Sequence, residues 1–255
     1  MNKNTHIVTG NKGFVGLNLT KYFKGVDKPI LGISRSPKED EISYKNVSST
    51  HFNNAKSIIH LAGKAHDLKK TSEDSEYFEV NTELTKTLFN QFLESDCEVF
   101  IYMSSVKAAA DTVEGFLTEN VTPKPVTVYG KSKLAAEQYI LSKEISKDKR
   151  VYILRPCMIH GENNKGNLNL LYKLIANRIP WFLGSFDNRR SFLSVDNLAF
   201  IVKEIMTKKI PSGEYFLADD KSFSTNQLVK LIGESLCKKV TIIKFWSDNI
   251  GQTTK

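Results

Sequence analysis

Tyr129 and Lys133 are four residues apart, the spacing that puts two side chains on one face of a helix. A phenol is normally neutral at pH 7. An ammonium beside it favours its ionised form, and a phenol tuned in this way can take a proton from a substrate hydroxyl or return one to a ketone. Ser104 and Ser105 follow an apolar run, Val99 to Met103, and a serine there can hydrogen-bond the same substrate oxygen. Tyr-x-x-x-Lys is also common among ordinary surface neighbours, so its meaning depends on what surrounds it.

A second constellation stands near the N-terminus. Gly10-Asn11-Lys12-Gly13-Phe14-Val15-Gly16 follows a strand pattern, His6 to Val8, and opens a helical one, Gly13 to Lys24. Backbone without a Cβ can turn tightly and approach a pyrophosphate, and a helix N-terminus adds N–H groups and a positive dipole end. The spacing is G-x-x-G-x-x-G, not the commoner G-x-G-x-x-G dinucleotide fingerprint. The next strand pattern, Ile30 to Ser34, ends at Ser34-Arg35-Ser36, where an NAD-preferring site usually carries Asp or Glu for the adenosine ribose. No carboxylate stands there; Asp40 and Glu41 come later, in an expected loop. The planar fork of Arg35 suits a 2′-phosphate, and Lys12 adds positive charge inside the glycine loop. The expected cofactor is therefore NADP(H) in preference to NAD(H). His60-Leu61-Ala62-Gly63 closes a later strand pattern and is expected to pass close to the cofactor; His60 is assigned no chemistry.

The elements that must hold these residues alternate. Strand patterns at Ser57 to Leu61, Val99 to Met103 and Val151 to Leu154 are separated by helical stretches at about Tyr77 to Glu94 and Val128 to Lys147. Leu84, Leu88 and Phe92 fall on one helical face, and Val99 to Met103 is apolar without alternation, as in a sheet buried on both faces. This cadence predicts an α/β fold, a Rossmann-type doubly wound parallel sheet. After about Gly161 the texture becomes polar and turn-prone (Asn163, Asn164, Gly166, Asn167, Asn169). Shorter elements follow, at Leu168 to Ala176, Val195 to Thr207, Tyr215 to Ala218, Asn226 to Leu236 and Val240 to Ile243. The expected division is a dinucleotide-binding domain over 1–162 and a small mixed α/β substrate domain, partly interleaved with it, over 163–255.

Composition narrows the alternatives. Forty per cent of the 255 residues are hydrophobic, enough for a sizeable core. The longest apolar runs are strand-sized, and the N-terminus lacks the apolar stretch of a signal peptide; no membrane insertion is expected, and residence in the cytoplasm follows by default. The three cysteines, Cys97, Cys157 and Cys237, form no Cys-x-x-Cys pair, and no two histidines stand at i, i+4, so no metal is expected. The net charge is +8. Its lysines are dispersed (Lys69-Lys70 and Lys208-Lys209 are short doublets) and lack the aromatic interleaving of single-strand binders. A phosphate-bearing small molecule is expected rather than nucleic acid.

At these residues the sequence resembles an extended short-chain dehydrogenase/reductase, specifically the nucleotide-sugar epimerase/dehydratase family. The matching segments are Thr9 to Gly16, His60 to Gly63, Asn81, Met103-Ser104-Ser105, Tyr129 to Lys133, Leu154-Arg155-Pro156 and Arg190 to Ala199, so the resemblance runs from Thr9 to about Leu236. It implies that Tyr129 is the acid/base, that Lys133 holds the nicotinamide ribose and lowers the tyrosine pKa, and that Ser105 rather than Ser104 polarises the reacting oxygen. It places Gly10, Gly13 and Gly16 around the pyrophosphate, with Lys12, Phe14 and Val15 of the same loop also expected in the cofactor site. Arg35, Leu61, Ala62, Gly63 and Asn81 complete the expected cofactor site. Arg190 matches an arginine that meets the sugar nucleotide's diphosphate, and Gly166-Asn167-Leu168 a turn that contacts the same group.

The resemblance implies hydride transfer at a sugar carbon, usually C4 of a UDP-hexose. Val106-Lys107-Ala108 follows Ser105, without the acidic pair that a dehydratase uses. Arg35 and Lys12 tilt the reading toward an NADPH-dependent 4-reductase of a UDP-4-keto-6-deoxy-N-acetylhexosamine, in surface-polysaccharide precursor synthesis. The alternative is a UDP-glucose or UDP-N-acetylglucosamine 4-epimerase. An alternative of another class is a non-catalytic dinucleotide binder; such proteins often lose the Tyr or the Lys, and both are present. The family's last substrate-binding arginine has no counterpart after Val240 to Ile243, so the expectation is either a trimmed substrate lid or a truncated chain. A homodimer through the helix of Tyr129 and its neighbour would use Leu84, Leu88, Phe92, Leu134, Tyr139 and Leu141, residues that core packing would also claim.

Overall fold

A computed structural model describes residues 5–26, 28–39, 41–65, 73–164, 166–186 and 188–245. Asp40, Lys69, Lys70 and the terminal stretch from Ser247 lie outside the described residues. The element order is β1 (Thr5–Thr9), α1 (Phe14–Lys24), β2 (Ile30–Ser34), β3 (Glu41–Ser43), α2 (Ser49–Phe52), β4 (Ala55–His60), α3 (Asp74–Phe78), a π-helical turn (Glu79–Glu83), α4 (Leu84–Leu93), β5 (Val99–Met103), α5 (Val106–Ala109), α6 (Val128–Leu141), β6 (Arg150–Pro156), β7 (Met158–His160), α7 (Asn167–Ala176), β8 (Arg189–Ser194), α8 (Val195–Thr207), β9 (Gly213–Leu217), β10 (Ser222–Ser224) and α9 (Thr225–Ser235).

Seven strands form one sheet in the order β3-β2-β1-β4-β5-β6-β9, and every pairing in it is parallel. Successive strand residues face opposite layers. Val8, Ile59, Ile101 and Leu154 pack with Leu19 and Phe23 of α1 and with Leu198 and Val202 of α8. Their neighbours Ile7, Ile58, Phe100 and Ile153 pack with Phe52 of α2, Leu88 and Phe92 of α4 and Ile140 of α6. The unalternating apolar strands are thus explained: both faces are covered. Leu88 and Phe92 are spent on this core, whereas Leu141 is exposed.

The chain divides into two compact units, Met1–Ile159 with Leu193–Ala218, and His160–Phe192 with Asp219–Lys255. The segment 193–218 carries α8 and β9 back into the first unit. A separate three-stranded sheet has the order β10-β8-β7, with β10 antiparallel to β8. In the second unit α7 and α9 share a small core of Leu171, Ile175 and Val229, with Trp181 packed against it.

Several expected bounds move. The helix expected to reach Lys147 stops at Leu141, capped at Ser142. The strand expected at Val240 to Ile243 is reduced to a single bridge between Trp181 and Ile242. The loop expected around Glu41 is strand β3, registered with Gly32↔Glu41 and Ser34↔Ser43. Three residues are too few for a readable hydrophobic period, and the pairing with β2 makes the strand. No helix of the described residues is long and apolar enough to cross a membrane.

Candidate active site

The glycine loop leaves β1 at the carboxyl edge of the sheet. Gly10 has φ +67°, and a Cβ there would lie 2.9 Å from the Ala62 backbone nitrogen. The loop and the Leu61–Gly63 segment therefore pass each other at backbone distance. Gly16 is tighter still, since its Cβ would sit 2.4 Å from the Gly10 carbonyl oxygen. Gly13 caps α1 without any side-chain hydrogen bond, so the first N–H groups of that helix, those of Phe14 and Val15 among them, have no acceptor within the helix. A backbone cradle of this shape fits the pyrophosphate of a dinucleotide.

Glu41 brings a carboxylate to this loop. Asn11 Nδ2 donates to Oε1 at 2.8 Å, and Ser34 Oγ and Lys38 N donate to Oε2 at 3.1 and 2.9 Å. Lys12 pairs with Oε2 at 2.8 Å and also donates to the Ser36 carbonyl. Burial would raise the Glu41 pKa, but the hydrogen bonds from Lys12, Lys38, Asn11 and Ser34 win, and it falls to about 2. Tyr44 accepts a 3.0 Å hydrogen bond from Gly10 N. Arg35 is exposed just past β2. Neither Glu41 nor Tyr44 was recognised from sequence as part of this loop; a carboxylate a few residues beyond a strand end was the available signal.

At the other end, the side chain of Thr127 caps α6 by accepting from Gly130 N. A Cβ at Gly130 would stand 2.2 Å from the Lys107 carbonyl, so glycine lets α6 press against α5. That approach brings Tyr129 to Ser105. Burial pushes the Tyr129 phenol above its usual 10, and a hydrogen bond with the Ser105 side chain pulls it back. Ser105 Oγ also accepts from Lys107 N at 3.2 Å, capping α5.

Lys133 is buried, at 4% exposure. Its Nζ donates to the Met103 carbonyl at 2.8 Å and stands 4.9 Å from the Tyr102 ring centroid. Burial lowers its pKa to about 8, against the opposing field of Glu137. Gly63 faces the same ammonium, since a Cβ there would come within 3.0 Å of Nζ and of Asn81 Oδ1. Asn81 lies in the π-helical turn and is fully buried. Its amide accepts from Lys64 N and donates to Lys64 O and Ser132 Oγ, at 2.7, 3.0 and 2.9 Å. It ties the segment after β4 to the residue before Lys133. His60 is buried between Thr9 Oγ1 and Thr85 Oγ1, at 2.7 and 2.9 Å, and burial, then the charge of Lys133, lowers its pKa to about 3. It stays neutral and joins β1 to the helix beyond Asn81.

The first unit therefore brings Gly10 and Gly16 against Ala62, Gly63 against Lys133 and Asn81, and Tyr129 against Ser105. Asn167 and Arg190 belong to the second unit. Asn167 opens α7 and Arg190 pairs with Phe223 across the β8–β10 ladder, both exposed. The adjacent Arg189 donates to the side chain and carbonyl of Ser222.

The chain is similar to known proteins over most of its length. The model of the NAD dependent epimerase/dehydratase family matches residues 6–218. The chain is 31% identical over 249 residues to a UDP-glucose 4-epimerase of Vibrio cholerae, covering 91% of this chain and 76% of that protein. It is 23% identical over 250 residues to a GDP-6-deoxy-D-mannose reductase of Pseudomonas aeruginosa, with 93% and 82% covered. Among solved structures, the UDP-N-acetylglucosamine 4-epimerase from Bacillus cereus superposes with a TM-score of 0.83 at 21% identity, over 97% of this chain and 87% of that one. With the family model matched over 6–218, this chain belongs to the NAD dependent epimerase/dehydratase family.

Proposed function

We propose that the chain is an NAD-dependent nucleotide-sugar epimerase acting at C4 of a UDP-hexose. The observation that carries the reading is the exit of β5, where Ser105 meets Tyr129 and the Met103 carbonyl holds the buried ammonium of Lys133. When bound, a nicotinamide dinucleotide supplies the hydride acceptor and donor. Gly10, Gly13, Gly16 and the start of α1 hold its pyrophosphate, with Leu61 to Gly63 alongside. Lys133 holds the nicotinamide ribose, and Asn81 fixes the backbone on either side. Tyr129 takes the proton from the C4 hydroxyl and later returns it, while Ser105 hydrogen-bonds the same oxygen. Burial raises the phenol, so the charge of Lys133 is needed to bring it within working range. Asn167 and Arg190 contact the substrate diphosphate.

Lys12 bears on the choice between the two forms of the reaction. Read as a phosphate-binding cation with Arg35, it favours NADP(H) and the 4-reductase. In the structure Lys12 is committed to Glu41, whose carboxylate stays ionised at neutral pH. Negative charge beside the glycine loop opposes a 2′-phosphate and supports NAD(H). A retained NAD suits an epimerase, which takes and returns one hydride without net oxidation, and the likeness to UDP-glucose 4-epimerase points the same way. The exposed Arg35 favours the second reading, an NADPH-dependent 4-reductase of a UDP-4-keto-6-deoxy-N-acetylhexosamine.

The test is to incubate the protein with UDP-glucose, without added dinucleotide, and to follow UDP-galactose. Interconversion lost in Tyr129→Phe supports the epimerase. Oxidation of NADPH by UDP-4-keto-6-deoxy sugars, with no interconversion, replaces it with the reductase. Dinucleotide binding with neither reaction points to a non-catalytic binder.

A further inference from the structure

Leu154-Arg155-Pro156 is a matching segment to which neither the cradle nor the Tyr129–Ser105 contact assigns a task. It belongs to an arrangement that extends the Tyr129–Lys133 pair by one more turn. Three consecutive residues at the exit of β5 meet three residues spaced by four on α6. The Ser105 side chain meets Tyr129, the Met103 carbonyl accepts from Lys133, and Ser104 Oγ donates to Glu137. Glu137 is fully buried and Arg155 is 3% exposed. Arg155 grips Glu137 as a fork, Nε to Oε1 at 3.1 Å and a terminal nitrogen to Oε2 at 2.7 Å. The same terminal nitrogen also donates to Glu214.

A buried ion pair is poor value as a source of stability, because apolar side chains of the same volume do as well or better. Its location suggests a different use. Lys133 is a buried ammonium one turn away, and it needs a nearby negative charge to remain charged. A carboxylate at that distance with idle oxygens would seize the ammonium and draw it off its place. Here both oxygens are already engaged, by Arg155 and Ser104, and Lys133 is left on the Met103 carbonyl. We propose that Glu137 and Arg155 are positioning residues for Lys133: Arg155 occupies the Glu137 carboxylate, so that Glu137 supports the charge of the lysine across one helical turn without capturing it. The proposal rests on the reading that Lys133 holds the dinucleotide.

The other groups around Lys133 do not supply this charge. His60 from β4 is neutral, with a pKa near 3. Tyr102 from β5 is held neutral by burial, and Glu137 and Tyr129 add to that. The Tyr129 phenol is raised by burial, Asn81 carries no charge, and Arg155 and Glu214 face one another. Glu137 is the single buried carboxylate among the described residues.

The two positioning residues make the proposal testable, because removing either one breaks the same ion pair with opposite consequences. NADH affinity, followed by fluorescence across pH, falls in the wild type as Lys133 loses its proton, at about pH 8. In Glu137→Gln the fall moves down by about one pH unit, since a supporting charge is gone. In Arg155→Gln it moves up, because the released carboxylate pairs with Lys133. A purely structural pair would lower the melting temperature in both variants and leave the fall at the wild-type pH. Glu214→Gln serves as the control, losing an ion pair of Arg155 without moving the fall. Where a single variant does not fold, Glu137→Gln/Arg155→Met leaves no charge of the pair buried alone, and its fall lies below the wild type; a fall at the wild-type pH overturns the proposal. Lys133→Met separates this from the underlying reading. If it binds NADH with the wild-type pH dependence, Lys133 does not hold the dinucleotide; if it abolishes the fall while Glu137→Gln and Arg155→Gln leave it in place, only the proposal about the pair is lost.

Discussion

The glycine loop and the inward face of α6 sit at the same edge of one sheet and are specified in contrary ways. In the loop the decisive positions carry no side chain: Gly10 and Gly16 admit backbone at distances that a Cβ would forbid. On α6 the decisive positions carry charge into a buried place, with Lys133 and Glu137 one turn apart and Arg155 opposite. Shape is the constraint in the first region and charge in the second. The loop should therefore fail through bulk and be nearly indifferent to pH, while α6 should fail through lost protons and lost charges with its shape intact.

The sharpest break in this comparison is Tyr129→Phe, which removes one oxygen and changes almost no volume. Turnover should fall by about 10²- to 10⁴-fold, while NADH binds within about twofold of the wild type in a fluorescence titration. A parallel loss of binding would show that the two regions are not separable. Next is acid. His6 and His60 are held neutral by burial, helped by Lys28 and Lys56 at His6 and by Lys133 at His60, with pKa values near 4 and 3. The unfolded chain takes up these protons from about pH 6.5. Stability is thus complete above that pH and declines as pH falls toward 4, by on the order of a few kcal/mol. Urea denaturation at pH 7 and pH 4.5 measures it, and equal midpoints would refute it.

Gly16→Ala tests the loop alone. Overpacking against the Gly10 carbonyl, ~1–3 kcal/mol, should weaken NADH binding by about 10- to 100-fold, with no change in its pH dependence. The smallest effect expected is at Glu41→Gln, where loss of the carboxylate beside Lys12 should shift the ratio of NADPH to NADH affinity toward NADPH by about tenfold or less. A shift the other way would restore the Arg35 reading.

These two regions were also unequally legible. The glycines announce themselves, because nothing else fits where backbone meets backbone, and strands such as Val99–Met103 and Ile30–Ser34 are read from runs of apolar residues buried on both sides. Glu137 does not announce itself. Four residues after Lys133, it looks like any solvated helix charge, and its partner Arg155 stands 18 residues away on a strand. Glu41 was hidden for a related reason: β3 is three residues long, and only its pairing with β2 makes it a strand. Asn81 could be picked out by likeness, but not the π-helical turn that carries it, because a change in helical pitch leaves no residue signature over five positions. Packing periodicity shows in a local window, whereas a charge buried against a distant partner does not.

The return of 193–218 to the first unit has a bearing on biosynthesis. A ribosome delivers the chain from its N-terminus, and six strands of the large sheet are complete once Pro156 has been made. One layer of that sheet still lacks Leu198, Ala199, Val202, Ile205 and Leu217. The nascent chain must therefore carry an uncovered apolar face through the synthesis of some sixty further residues, from 157 to 217, and only the emergence of β9 lets it close. Chaperone demand during translation, rather than the stability of the finished protein, is where a defect in α8 should first be felt.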